Sequence, residues 1–279
     1  MSKTRKKATK ASRKSRSRKS APAARARTRG VIEVPLAAFG LQPHLDTLRD
    51  ASQPVESRLE ALQTVQAASF AIPDFDSVRP EYIAALRQAA EDQDPELRQR
   101  ALGILAREHD AFAQDALLEG LRDSDKALVE PDKALQLLSY DPHAGVYPIA
   151  RDIMQTSDDE STRREALRVL AGDPASAPLL ESVLTDKNEP ADIRRMSASA
   201  LHALDPDRLQ RWANKAVLDT AEDPELVATS LTALTQFGDA DAIRGNKPLL
   251  KRVDQLQARA PAKIKKLAKR FVQKYDSES

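Results

Sequence analysis

Four histidines, His44, His109, His143 and His202, are the residues of this chain best suited to metal ligation or proton transfer, and none has a second histidine three or four positions away. A helix therefore presents no paired imidazoles. The aspartate doublets Asp74/Asp76, Asp92/Asp94, Asp123/Asp125 and Asp239/Asp241 imitate the start of a calcium loop. They lack its glycine at position six and its terminal glutamate, so helix-end capping is the reading that fits them. Cysteine is absent, which excludes disulfides, thiolate metal sites and thiol nucleophiles. The eight glycines form no G-x-G-x-x-G, G-x-S-x-G or phosphate loop. No catalytic constellation, metal site or cofactor emerges.

Two basic segments carry the remaining chemistry. Residues 1–30 hold 13 Lys or Arg and no acid, and their only apolar residue besides Met1 and Pro22 is alanine. Such a segment buries too little surface to offset the entropy of ordering, so a disordered tail is expected. Lys3, Arg5, Lys6, Lys7, Lys10, Arg13, Lys14, Arg16, Arg18 and Lys19 are the candidate nucleic-acid contacts. Cations strung along a flexible chain track phosphates and release counterions without reading bases, and no aromatics are interleaved for stacking. The second segment, residues 260–275, is an amphipathic helix. Its apolar stripe of Ile264, Leu267, Ala268, Phe271, Val272 and Tyr275 suits capping of a preceding helix layer. Lys263, Lys265, Lys266, Lys269, Arg270 and Lys274 cover the rest as a possible secondary basic face.

The elements between these segments follow a repeat. The string Ala-Leu-x-x-Leu/Val appears at Ala61-Leu62, Ala101-Leu102, Ala134-Leu135, Ala166-Leu167 and Ala200-Leu201, and as Ser230-Leu231. Its leucines at 62, 102, 135, 167, 201 and 231 recur at the length of one helix–turn–helix unit, the mark of a stacked array. Acid–proline pairs punctuate it, at Asp94-Pro95, Glu130-Pro131, Asp141-Pro142, Asp173-Pro174, Glu189-Pro190, Asp205-Pro206 and Asp223-Pro224. An acidic oxygen caps the free N–H groups of a first turn, and proline at the first helical position loses a donor that had no partner. Ala and Leu dominate the apolar residues and aromatics make up 4%, a composition for packed helices rather than strands.

The runs D-P-E-L-R-Q-R-A-L-G-I-L at 94–105 and S-T-R-R-E-A-L-R-V-L at 161–170 resemble the second helix of a HEAT repeat. The resemblance covers roughly residues 52–236. It implies an all-α, right-handed solenoid of about six helical hairpins that binds partners along a concave face, and it implies no activity. Three parts are expected: a disordered tail at 1–30, a repeat domain at 31–258 and a basic amphipathic capping helix with a short tail at 259–279. Some HEAT-like proteins are DNA glycosylases or bilin lyases, so an enzyme or enzyme partner is the alternative; a Trp/Tyr cluster beside a carboxylate would mark it. The lone Trp212, at helical spacing, reads as core.

Charge is strongly separated along the chain. Residues 31–246 contain 21 basic and 39 acidic residues, a net of 21 − 39 = −18, against a formal +2 for the whole chain. The sequence therefore leads us to expect a non-catalytic scaffold. Its acidic repeat surface would bind a protein partner, and its tail would bind DNA or RNA without sequence preference. No run of about 18 apolar residues exists, which suggests an intracellular monomer in the cytoplasm, nucleoid or nucleus.

If the tail holds about six phosphates at once, log K against log salt has a slope near −5 on duplex DNA. The affinity of the full chain for a random duplex then falls roughly a thousand-fold between 50 and 200 mM salt. Removing residues 1–30 should flatten that slope, as measured by fluorescence anisotropy; an unchanged slope means that the contacts lie elsewhere.

Overall fold

The computed structural model describes residues 40–72, 75–141 and 145–276. Aspartate caps and prolines start several of its helices where the sequence places them, whereas Pro142 of the Asp141-Pro142 pair lies outside the described residues and Asp173-Pro174 opens a 3-10 turn. Asp94 accepts a hydrogen bond from the Leu97 N–H at 2.8 Å, Asp159 from Thr162 at 2.7 Å and Asp205 from Arg208 at 2.9 Å. Pro95, Pro206 and Pro224 each follow a capping aspartate. The two glutamates behave differently. Glu130 makes no side-chain cap bond, and Glu189 precedes an uncapped helix start at Pro190. Their longer side chains overshoot the first turn, and Glu189 turns instead to Arg163.

Among the described residues these starts organise seven hairpins. They pair α1 (Gln42–Arg49) with α2 (Val55–Ala71), α3 (Arg79–Ala89) with α4 (Pro95–Arg107), and α5 (Ala111–Arg122) with α6 (Pro131–Leu138). Then α7 (Val146–Thr156) pairs with α8 (Glu160–Leu170), α9 (Ala177–Thr185) with α10 (Ala191–Leu204), and α11 (Pro206–Leu218) with α12 (Pro224–Phe237). A short α13 (Ala240–Gly245) leads to α14 (Lys247–Arg259) and α15 (Ala262–Asp276). No strand occurs among the described residues. Second helices pack in the order α2, α4, α6, α8, α10, α12, α15, and first helices meet their own neighbours behind them. This is an all-α, HEAT-like solenoid. The helix expected to cap it is the second member of a seventh hairpin, which the Ala-Leu strings do not mark.

The strings fill the seam between the layers. Leu62, Leu102, Leu135 and Leu167 are essentially inaccessible, and the alanine before each lets the neighbouring backbone come close. Burying one such leucine contributes about 2 kcal/mol. Trp212, on α11, is buried as well.

Between layers runs a series of buried arginines. On α10, Arg194 donates from Nε to the Leu184 carbonyl at the end of its own first helix, at 2.9 Å. Its two terminal nitrogens hold Glu222, in the turn of the following hairpin, at 2.8 and 2.9 Å. Arg58 does the same with the Leu48 carbonyl and Asp92, and Arg163 with the Met154 carbonyl and Glu189. Arg98, at the equivalent position of α4, bonds only carbonyls, those of Leu128, Asp92 and Gln93. Matching Arg194 to Arg163 also corrects the register of the fifth repeat. The residue four after the arginine is Leu62, Leu102 and Leu167 in the other helices but Ala198 in α10. The Ala200-Leu201 string therefore sits one turn later than its counterparts.

The last hairpin is attached differently. The Tyr275 hydroxyl donates to the Leu234 carbonyl at 2.5 Å and lies 3.3 Å from that of Gly238. A Cβ on Gly238 would stand 2.7 Å from that hydroxyl and 2.3 Å from Ile243, so only glycine admits this approach. Two measurements test the arginine series. Arg194→Ala leaves Glu222 charged and enclosed, both side chains being about 5% exposed or less. It should cost about 3 kcal/mol by denaturant unfolding.

The second test is acid. Burial pushes the Asp92 carboxyl up, but hydrogen bonds from Arg58 and the Asp94 N–H, with the charges of Arg58 and Arg98, hold it below its usual range. Asp219, bonded by Lys187, and Asp205, bonded by the Arg208 backbone, are held low as well. A carboxyl with a depressed folded value stabilises above its unfolded value, near 3.9, and loses that contribution as pH falls through the folded one. The melting temperature should be level above about pH 5 and fall below about pH 4, with a shallower fall in Asp92→Asn.

Candidate polyanion interface

The exposed side of the second helices is built by the same register. Residues three and two before the core leucine, and one and five after it, point away from the seam. Three grooves run between these helices. The first, between α4 and α6, is lined by Arg100, Arg107 and Lys133 beside Gln99 and Tyr140. The second, between α8 and α10, is lined by Arg164, Arg168, Arg195 and Asp192 with Met196 and Ser199. The third crosses α10, α12 and α15 and takes Lys263, Lys266 and Arg270 from α15. Together the three present nine Lys or Arg and one carboxylate.

The acidic surface expected of the body lies apart from these three grooves. The carboxylates of the body concentrate at turns and helix starts. A groove at the α5–α6 and α7–α8 connections is lined by Glu130, Asp132 and Asp159, while another beside the α11–α12 turn sets Asp219 and Glu222 against Arg252 and Arg259. A turn needs acceptors for its free N–H groups and a helix start favours negative charge. Acids therefore gather along the edges while the centre of the second-helix face stays basic.

Some of the nine cations are already paired. Arg164 bridges Glu160 and Asp192, Arg168 meets Glu165, Arg100 meets Glu96, and Lys263 meets Glu225. Burial pushes Asp192 up, but the Arg164 hydrogen bond and charge outweigh it and hold the carboxyl low; the same bond pushes the guanidinium up. Arg107, Lys133, Arg195, Lys266 and Arg270 have no carboxylate partner among the described residues. The guanidinium of Arg107 instead lies 5.9 Å from the centre of the Tyr140 ring.

The basic face expected of α15 is divided by its packing. Lys263, Lys266 and Arg270 enter the third groove, whereas Lys265 and Lys269 are exposed without lining it. Lys274 turns inward and donates to the Thr235 carbonyl at 2.7 Å, tying α15 to α12. The tail cations Lys3, Arg5, Lys6, Lys7, Lys10, Arg13, Lys14, Arg16, Arg18 and Lys19 lie outside the described residues. Charge patterning along the chain does not single out Arg100, Arg107, Lys133, Arg164, Arg168 and Arg195; offsets from the core leucine would find all but Arg195, whose helix keeps another register. Among the described residues no group of His, Asp and Glu is placed to hold a metal ion, and no helix is long and apolar enough to cross a membrane.

No family model matches the chain, and no curated protein matches it. Among solved structures it is similar to an engineered protein, at 18% identity over 86% of this chain and 69% of that one, with a TM-score of 0.49. It is also similar to human deoxyhypusine hydroxylase in complex with glycerol (16% identity, 88% and 100% covered, TM-score 0.37). A third is the complex of CpcE and CpcF of phycocyanin lyase from Nostoc (16%, 85% and 94%, TM-score 0.42). Identities this low transfer no activity, substrate or partner to this chain.

Proposed function

We propose that this chain is a helical-repeat scaffold whose second-helix face holds a nucleic acid, with the basic tail adding sequence-independent adhesion. The observation that carries the reading is the nine-to-one excess of cations over carboxylates in the three grooves of a body whose net charge is −18 over residues 31–246. Six of the nine are arginines, whose planar forks match phosphate oxygens in pairs. They extend from α4 to α15, six second helices in a row. At about 8–10 Å between axes this is roughly 40–50 Å, the length of about 12–15 phosphates along one strand. The acidic turns at the starts of the second helices repel a polyanion and so favour the strip. The same turns are the chemical match for a basic segment of a protein partner.

The test is charge reversal on the face with the tail in place. In the full chain, Arg107→Glu, Arg168→Glu and Arg195→Glu together should weaken oligonucleotide binding at least ten-fold and reduce the salt slope by about three, one for each lost phosphate contact. Thermal melting should change little, because all three side chains are exposed. Unchanged affinity and slope would remove the face from the reading and leave the tail as the sole contact.

A further inference from the structure

The face carries aromatic rings as well as cations, and they are arranged in parallel. Among the described residues, four large apolar side chains are markedly exposed: Phe70, Tyr140, Phe237 and Leu218. The three aromatic ones all sit at the C-terminal ends of second helices. Phe70 is in the last turn of α2, Tyr140 two residues beyond α6, and Phe237 ends α12. Tyr140 lines the first groove and Phe237 the third, at the helix ends, while Arg100, Lys133, Arg164 and Arg195 lie nearer the helix starts.

The third groove combines both features. Its floor is α12, which offers the small side chains Ala228, Thr229, Thr232 and Ala233 there, followed by Gln236 and Phe237 towards the helix end. The threonine hydroxyls donate to carbonyls of their own helix. On one side Phe237, 45% exposed, stacks at a tilt on the His202 ring with centroids 4.4 Å apart. On the other stand Lys266 and Arg270, without carboxylate partners among the described residues. The space between is about 440 Å³, ample for a nucleobase and its sugar.

We infer that the second-helix face prefers single-stranded nucleic acid, with an unpaired base stacked on Phe237 in the groove between α10, α12 and α15 and the adjoining phosphates held by Lys266 and Arg270. This inference rests on the nucleic-acid reading above and adds the form of the ligand. A duplex keeps its bases stacked on one another and offers the face only phosphates, so the aromatic rings gain nothing from it. A single strand turns its bases out, and each base–aromatic stack strengthens binding whatever the sequence. An acidic peptide would satisfy the cations but has no flat ring for Phe237.

The experiment uses the full chain, an unstructured 15-nucleotide oligodeoxythymidine and a 15-base-pair random duplex, at one salt concentration. The wild type should bind the single strand more tightly than the duplex. Phe237→Ala should lose about ten-fold on the single strand and little on the duplex, and Phe237→Trp should keep or exceed wild-type affinity. A 5-iodouracil oligonucleotide should photocrosslink to the tryptic peptide containing Phe237, and melting curves check that the variants are folded. Equal loss on both ligands, or none on either with no crosslink, overturns the inference. If Lys266→Glu/Arg270→Glu still weakens binding in that case, the nucleic-acid reading stands without it. If poly-glutamate competes as well as the oligonucleotide and neither pair of substitutions matters, that reading fails too.

Discussion

An arginine at the seam joins consecutive hairpins at three points of the array, from α2, α8 and α10, and fixes the register there. Its Nε satisfies a carbonyl at the end of the first helix, and its terminal nitrogens hold a carboxylate in the next turn. One side chain thus sets two relations, that of the two helices within a hairpin and that of one hairpin to the next. Apolar packing alone tolerates a slide of one helical turn, because Ala and Leu recur along both partners. A buried ion pair tolerates no such slide, since a misplaced guanidinium leaves a charge unpaired in the core. Where the arginine is absent, as at Val227 of α12, the tie is made by other means, chiefly the Tyr275 hydroxyl and the Lys274 ammonium on the carbonyls of α12.

The fixed register is also what gives the second-helix face a composition of its own. Once the leucines are committed to the seam, the same offsets on every second helix face outward. Capping chemistry draws many carboxylates to the turns, and Arg, Lys and small or amide residues hold most of the outward positions, with Glu60, Asp132 and Glu165 as exceptions. The body is acidic in sum and basic along one strip. A sum over residues cannot report such a separation, and the partner that the net charge invites differs from the one that the face invites.

Stacking continues this logic at the end of the array. Gly238 lets Tyr275 close on α12, which brings the α15 cations beside the Phe237 and His202 rings. The tie at the end of the solenoid and the composition of its third groove are thus one arrangement. Substitutions that loosen α15 would therefore act on binding and stability together, whereas Phe237 reaches solvent and separates the two.

Local structure is legible in the chain alone. The 3.6-residue period, the Ala-Leu strings and the Asp-Pro starts specify helices, their approximate bounds and a repeat of hairpins, because helix formation and capping involve residues within a turn of one another. The basic character of α15 is equally legible, since it is a property of one helix. Lateral placement is not. The register of α10, set by Arg194 rather than by Ala200-Leu201, needs the bonds to Leu184 and Glu222. The inward turn of Lys274, the meeting of His202 with Phe237 and the cationic strip across six helices depend on which residues of distant segments lie side by side. No spacing within one segment encodes those contacts, because packing, and not periodicity, chooses each helix's neighbour and the height at which they meet.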